Sequence, residues 1–244
     1  MLQDILKIVK EANVKLPKPA YVCKYCAKAY TKESSLINHM CEPKRRWQQE
    51  HETGVRFGLH SYLRFYEISQ GSAKLKTYAD FVSSPYYTAF VKFGRHMVGI
   101  RAVNPAAFTE WVLKQNKKID HWCHEAVYVE YLIQYMRKEA TQDAMERALI
   151  EMQKYADEHT ELKSFNDYFR VANPNRICQH IANGRISPWV VYNSGSGVAF
   201  LDGLTEEQIN IIINWIDPTF WSKKFKDYPA DTDWVKGILK AANL

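Results

Sequence analysis

Apolar residues recur at intervals of three and four through most of the chain, the period of helices that bury one side. Leu2, Ile5, Leu6, Ile8 and Val9 share one side of a helix expected over residues 2–12, and Val14-Lys15-Leu16-Pro17-Lys18-Pro19 ends it. Lys44-Arg45-Arg46-Trp47 opens a polar helix through Glu50, with Gly54 and Gly58 loosening its continuation, and the body begins near Val55. Tyr62 to Ile68 is helical and stops at Gly71. Ser84-Pro85 launches Tyr86 to Met97, and Asn104-Pro105 launches Ala106 to Leu113, each pairing a capping residue with proline at the first helical position.

Asp120 is expected to cap a long amphipathic stretch that reaches Tyr155 with a break near Ala140. Phe165 to Val171 and Arg176 to Ala182 follow, separated by Asn173-Pro174 and closed by Asn183-Gly184. Thr205 and Gln208 form a capping box for Ile209 to Ile216, Asp217-Pro218 restarts the chain toward Lys224, and Thr232 to Ala242 is the last helix. Extended structure is expected only near residues 21–30 and at Trp189 to Tyr192. The fold class is therefore all-α, a multi-helical body with a small N-terminal ββα finger. The expected division is an N-terminal helix and linker (1–18), a finger with a basic extension (19–47), and helical domains at 48–160 and 161–244.

Three of the five cysteines crowd between positions 23 and 41, which favours metal ligation over a disulfide framework. Cys23 and Cys26 suit a turn knuckle, and His39, after twelve intervening residues, lies where a helix can bring it to the same Zn²⁺. Tyr21, Tyr30 and Leu36 occupy the core positions of such a unit. The stretch resembles the Cys2His2 zinc-finger family. Its fourth ligand departs from that pattern: Cys41 is the first choice and His51 the reserve, and Cys41 can share the metal with His39 only if the helix ends at His39 or tightens. The family's base-facing positions fall on Lys32, Ser34, Ser35 and Asn38. Lys44, Arg45, Arg46 and Trp47 add cations and an aromatic ring suited to phosphate contact and stacking. Cys123 and Cys178 read as buried thiols.

Charge sharpens this picture. Residues 1–47 hold ten basic and four acidic residues, so the whole formal net charge of +6 lies there and the remainder is neutral. A basic module on a neutral body suits a polyanion. No apolar run approaches a membrane span, and the N-terminus lacks the features of a signal peptide, so a cytoplasmic location is expected. No phosphate-cradling loop is present, Asn193 to Gly197 reads as a flexible turn, and His121-Trp122-Cys123-His124-Glu125 lacks a third partner. A non-enzyme is expected.

Residues 55–242 resemble the helicase loader, or helicase assembly protein, of T4-like bacteriophages. The resemblance rests on Ser61-Tyr62-Leu63-Arg64-Phe65-Tyr66, Lys74-Leu75-Lys76-Thr77-Tyr78, Tyr86-Tyr87 with Lys92 and Arg95, Phe165-Asn166-Asp167-Tyr168-Phe169, and Gly184-Arg185-Ile186-Ser187-Pro188. It implies a two-domain all-α protein without ATPase activity. It also implies binding to forked or single-stranded DNA, contact with a single-strand DNA-binding protein, and recruitment of a replicative helicase. The competing expectation is a structural or virion-assembly protein whose finger is a staple or a protein-docking module.

Overall fold

The computed structural model describes residues 3–4, 21–70 and 75–244. The helix and linker expected over residues 1–18 lie outside this set except for Gln3 and Asp4, which are helical. The chain divides into two compact units, residues 1–100 and 101–244. The boundary expected at 160 is not where the chain divides, because the long helix before it packs on elements that follow it.

In the first unit, β1 (Tyr21–Val22) and β2 (Ala29–Tyr30) pair antiparallel, Tyr21 opposite Tyr30. They are followed by α1 (Glu33–Ile37), α2 (Glu42–Gln48), α3 (Thr53–Gln70), α4 (Tyr78–Ser83) and α5 (Tyr87–Gly99). A reciprocal capping box between Thr77 and Asp80 starts α4. Helices α3 and α5 form the principal packing of this unit. Gly54 and Gly58 do not loosen α3; they lie within it and let α5 approach. A Cβ on Gly58 would stand 2.7 Å from the Phe90 carbonyl oxygen, and one on Gly94 would collide with the Gly54 carbonyl. Beside this seam Tyr62, Phe81, Tyr87, Phe90 and Phe93 are buried and form the core, while Tyr86 is exposed.

The second unit contains α6 (Pro105–Lys114), α7 (Glu125–Met136), α8 (Thr141–Glu158), α9 (Tyr168–Val171), α10 (Pro174–Ala182), α11 (Pro188–Asn193), α12 (Gly195–Asp202), α13 (Glu206–Ile216), α14 (Pro218–Asp227) and α15 (Pro229–Ala241). Helix α8 packs on α9, α11 and α15, which joins both sides of residue 160 in one core. Two buried tyrosines tie α7 to the chain before α6: Tyr128 Oη accepts from the Val103 amide at 2.9 Å, and Tyr131 Oη donates to the Val103 carbonyl at 2.8 Å. Arg147 grips the fully buried Glu139 side chain through both carboxylate oxygens, and its Nε donates to the Gly184 carbonyl. Gly184 itself has φ +70, the left-handed geometry that closes α10.

Four local expectations are corrected, the first at Ser84-Pro85, which does not open α5: Ser84 ends α4, and α5 starts at Tyr87 with Tyr86 at its N-cap and no side-chain cap. Asp120 caps no long helix; it lies in a 3₁₀ turn, Ile119–His121, and α7 starts after His124. Trp189 to Tyr192 is not extended but forms α11, because the Ser187 hydroxyl accepts from the Trp189 amide and Pro188 occupies the first turn. Asn193 to Gly197 is no flexible turn, since Ser194 caps α12 through the Gly197 amide. No helix among the described residues is long and apolar enough to cross a membrane.

Candidate metal centre

The knuckle between β1 and β2 is a tight turn. The Ala27 amide donates to the Cys23 carbonyl at 2.8 Å, the Cys23 amide donates to the Lys28 carbonyl at 2.9 Å, and Ala27 takes φ +59. These bonds turn Cys23 and Cys26 toward the same side. Helix α1 ends at Ile37 with Asn38 as its cap, and His39 follows with its amide still bonded to the Leu36 carbonyl. The early end resolves the close spacing of His39 and Cys41, because Cys41 is extended (φ −110, ψ 162) and swings back toward the knuckle. Pro43 then enters the first turn of α2.

Cys26 Sγ lies 3.2 Å from His39 Nε2, Cys23 Sγ lies 3.9 Å from Cys41 Sγ, and all four ligand atoms fall within 4.8 Å of one another. A tetrahedral site with bonds of about 2.3 Å to sulfur and about 2.1 Å to nitrogen has edges of roughly 3.5–3.8 Å. The four residues therefore can hold a metal ion. His51, exposed beyond α2, is not in this group, so the reserve candidate gives way to Cys41.

Cys23 and Cys26 are shifted in opposite directions. Burial works to raise the Cys23 thiol, but the backbone around Tyr25 and Cys26 together with the neighbouring thiols holds it below the usual range. At Cys26 the backbone at Lys28 lowers the thiol, yet desolvation and the neighbouring Cys41 and Cys23 carry it upward. Cys23 and Cys26 are thus pushed in opposite directions within a small volume, a conflict that a bound divalent cation removes. The Tyr30 ring packs against His39 with centroids 5.0 Å apart and helps to orient the imidazole.

Lys32, Ser34, Ser35 and Asn38 are all exposed, at the N-cap, within α1 and at its C-cap. The extension, read as suited to phosphate contact and stacking, is largely engaged within its own unit. Lys44 Nζ donates to the His39 carbonyl at 2.9 Å and to the Ile37 carbonyl at 3.4 Å. Arg46 donates to the Val82 carbonyl at 2.6 Å, pairs with Glu42, and stands 4.4 Å over the Tyr87 ring. Trp47 packs edge-on against Tyr78. Arg45 is the most open of the two arginines and pairs with Glu42. Arg46 and Trp47 thus anchor the finger within its own unit, a role that adjacent sequence does not reveal.

Elsewhere, His121 and His124 stack at 5.0 Å, and Cys123 is half-buried where a buried thiol was expected, whereas Cys178 is buried. The four finger ligands are the one candidate metal group among the described residues. Compared with known proteins, the chain matches no family model, no curated protein and no solved structure.

Proposed function

We propose that the centre holds Zn²⁺ and that the chain is a non-enzymatic, DNA-binding replication accessory protein, one that brings a replicative helicase to forked or single-stranded DNA. The observation that carries the metal reading is the convergence of three thiolates and one imidazole, a donor set suited to structural zinc. Zinc would cross-link the knuckle to the chain after α1 and hold a unit too small to fold on burial alone. Supporting the DNA reading are the exposed Lys32, Ser34, Ser35 and Asn38 and the concentration of net positive charge before residue 48. The helicase and single-strand-binding-protein partners rest on the resemblance of the body.

A second reading, a protein-docking finger in an assembly protein, is favoured by one observation: Val22, Ile37 and Met40 are exposed on the finger. Salt-dependent binding of the full chain to a labelled DNA fork separates the two. On the DNA reading, Lys32→Ala flattens the slope of log affinity against log salt by about one unit, Asn38→Ala alters base preference, and Ile37→Ser changes neither. Fork binding that is absent, or unmoved by Lys32→Ala and Asn38→Ala, rejects the finger as the DNA contact.

A further inference from the structure

We infer that the metal centre is also a conformational control on the rest of its unit: occupancy of the four-ligand site holds α2 down on α4 and α5, and loss of the metal releases it. The inference rests on the metal reading above and concerns what that metal does beyond the finger. Cys41 is at once a ligand and the N-cap residue of α2, and its side chain makes no capping hydrogen bond, being turned to the other ligands. Helix α2 has only seven residues, a length at which an isolated helix does not persist in water. Its order must come from what fixes its two ends.

Both fixings are visible. At the N-terminal end stand the metal ligand Cys41 and Lys44, whose ammonium closes onto the carbonyls of Ile37 and of the ligand His39. Toward the other end, Tyr78 Oη donates to the Arg46 carbonyl at 2.6 Å, Arg46 donates to the Val82 carbonyl, its guanidinium covers Tyr87, and Trp47 meets Tyr78. A short helix held at both ends transmits what happens at either. Removing the metal frees Cys41 and the segment that carries the His39 carbonyl, so the N-terminal fixing is lost and the contacts on α4 and α5 must order α2 alone. Coupling of this kind is reciprocal, so weakening the α4 contacts must weaken metal binding as well.

The test uses the full chain and two readouts. Amide hydrogen exchange is followed with Zn²⁺ bound and after chelation, and Co²⁺ affinity is measured by absorbance for the wild type and for Tyr78→Phe, which deletes the hydroxyl bond to Arg46 but keeps the ring. The expected result is that chelation accelerates exchange in residues 42–48 and 78–83 as well as in the finger, and leaves α13 unchanged. Tyr78→Phe should lower Co²⁺ affinity by roughly threefold to fivefold, the order of one net hydrogen bond, although Tyr78 touches no ligand. Acceleration confined to residues 21–41, with unchanged Co²⁺ affinity in Tyr78→Phe, overturns the coupling while leaving the metal site intact. A wild-type chain that binds neither ion overturns the metal reading itself.

Discussion

His180 shows how one half-buried side chain contributes to the acid response of the second unit. Its Nδ1 lies 2.7 Å from Tyr168 Oη, so the neutral imidazole can accept the phenolic proton. Burial holds its pKa below the ordinary histidine value, and the nearby Glu151 charge only partly opposes that. The folded form therefore binds a proton less readily than the unfolded chain. Its stabilising contribution is present above the unfolded value of about 6.5 and is lost as pH falls from there toward the folded value. His96 in the first unit is depressed in the same direction, by burial and by Lys92. Thermal unfolding of the wild type should move to lower temperature as pH is lowered from about 7.5 to about 5.5, and His180→Gln should flatten that dependence; an unchanged slope counts against the assignment. At this scale the metal ligands were legible because Cys23, Cys26, His39 and Cys41 are close in sequence and their chemistry is distinctive. The fates of Arg46 and Trp47 were not, because they are decided by Tyr78, Val82 and Tyr87, more than thirty residues away.

Helices α3 and α5 owe their contact to glycines, and this is where local propensity and packing oppose each other. Replacing glycine by alanine inside a helix normally adds about 0.5–1 kcal/mol. At Gly94 the new methyl would meet the Gly54 backbone, which cannot rotate away. Gly94→Ala should therefore destabilise the first unit by about 1–3 kcal/mol despite the better propensity. Gly237, inside α15 with nothing within 4 Å of its would-be Cβ, should show the opposite sign. Chemical denaturation of the two variants checks both, and a stabilising Gly94→Ala would contradict the close approach of the helices. The same non-local cause explains why Gly54 and Gly58 read as breaks in the sequence: their partner Gly94 lies far along the chain. A cap followed by proline marked the helix start correctly at Asn104-Pro105; at Ser84-Pro85 it did not, since Ser84 ends α4 and α5 starts at Tyr87, and Asn173-Pro174, read as a break before Arg176, itself caps and opens α10. At Ser187-Pro188 the same signal was outweighed by Trp189-Val190-Val191, whose unbroken apolar character carries no period because the first three residues after Pro188 are all buried.

For the molecule as a whole, composition and charge described the first unit better than they described the boundary between units. The all-α class and the two-strand finger follow from period and spacing, whereas the division at residue 100 depends on long-range packing of α8 that no local break announces. The net positive charge before residue 48 is likewise no direct measure of free cations, since Lys44 and Arg46 are engaged inside the first unit. A polyanion reaching this end must rely on Lys32, Arg45 and neighbouring lysines, which is why the single substitution at Lys32 is the more informative probe. The metal centre is the point on which the finger, the helix α2 and the proposed DNA contact all depend. Elemental analysis of the full chain, purified without chelator, tests it most directly. One zinc per chain is predicted, retained in His51→Ala and lost or strongly weakened in Cys41→Ser; a wild-type chain without metal, or a Cys41→Ser chain that keeps full zinc while His51→Ala loses it, would contradict the account.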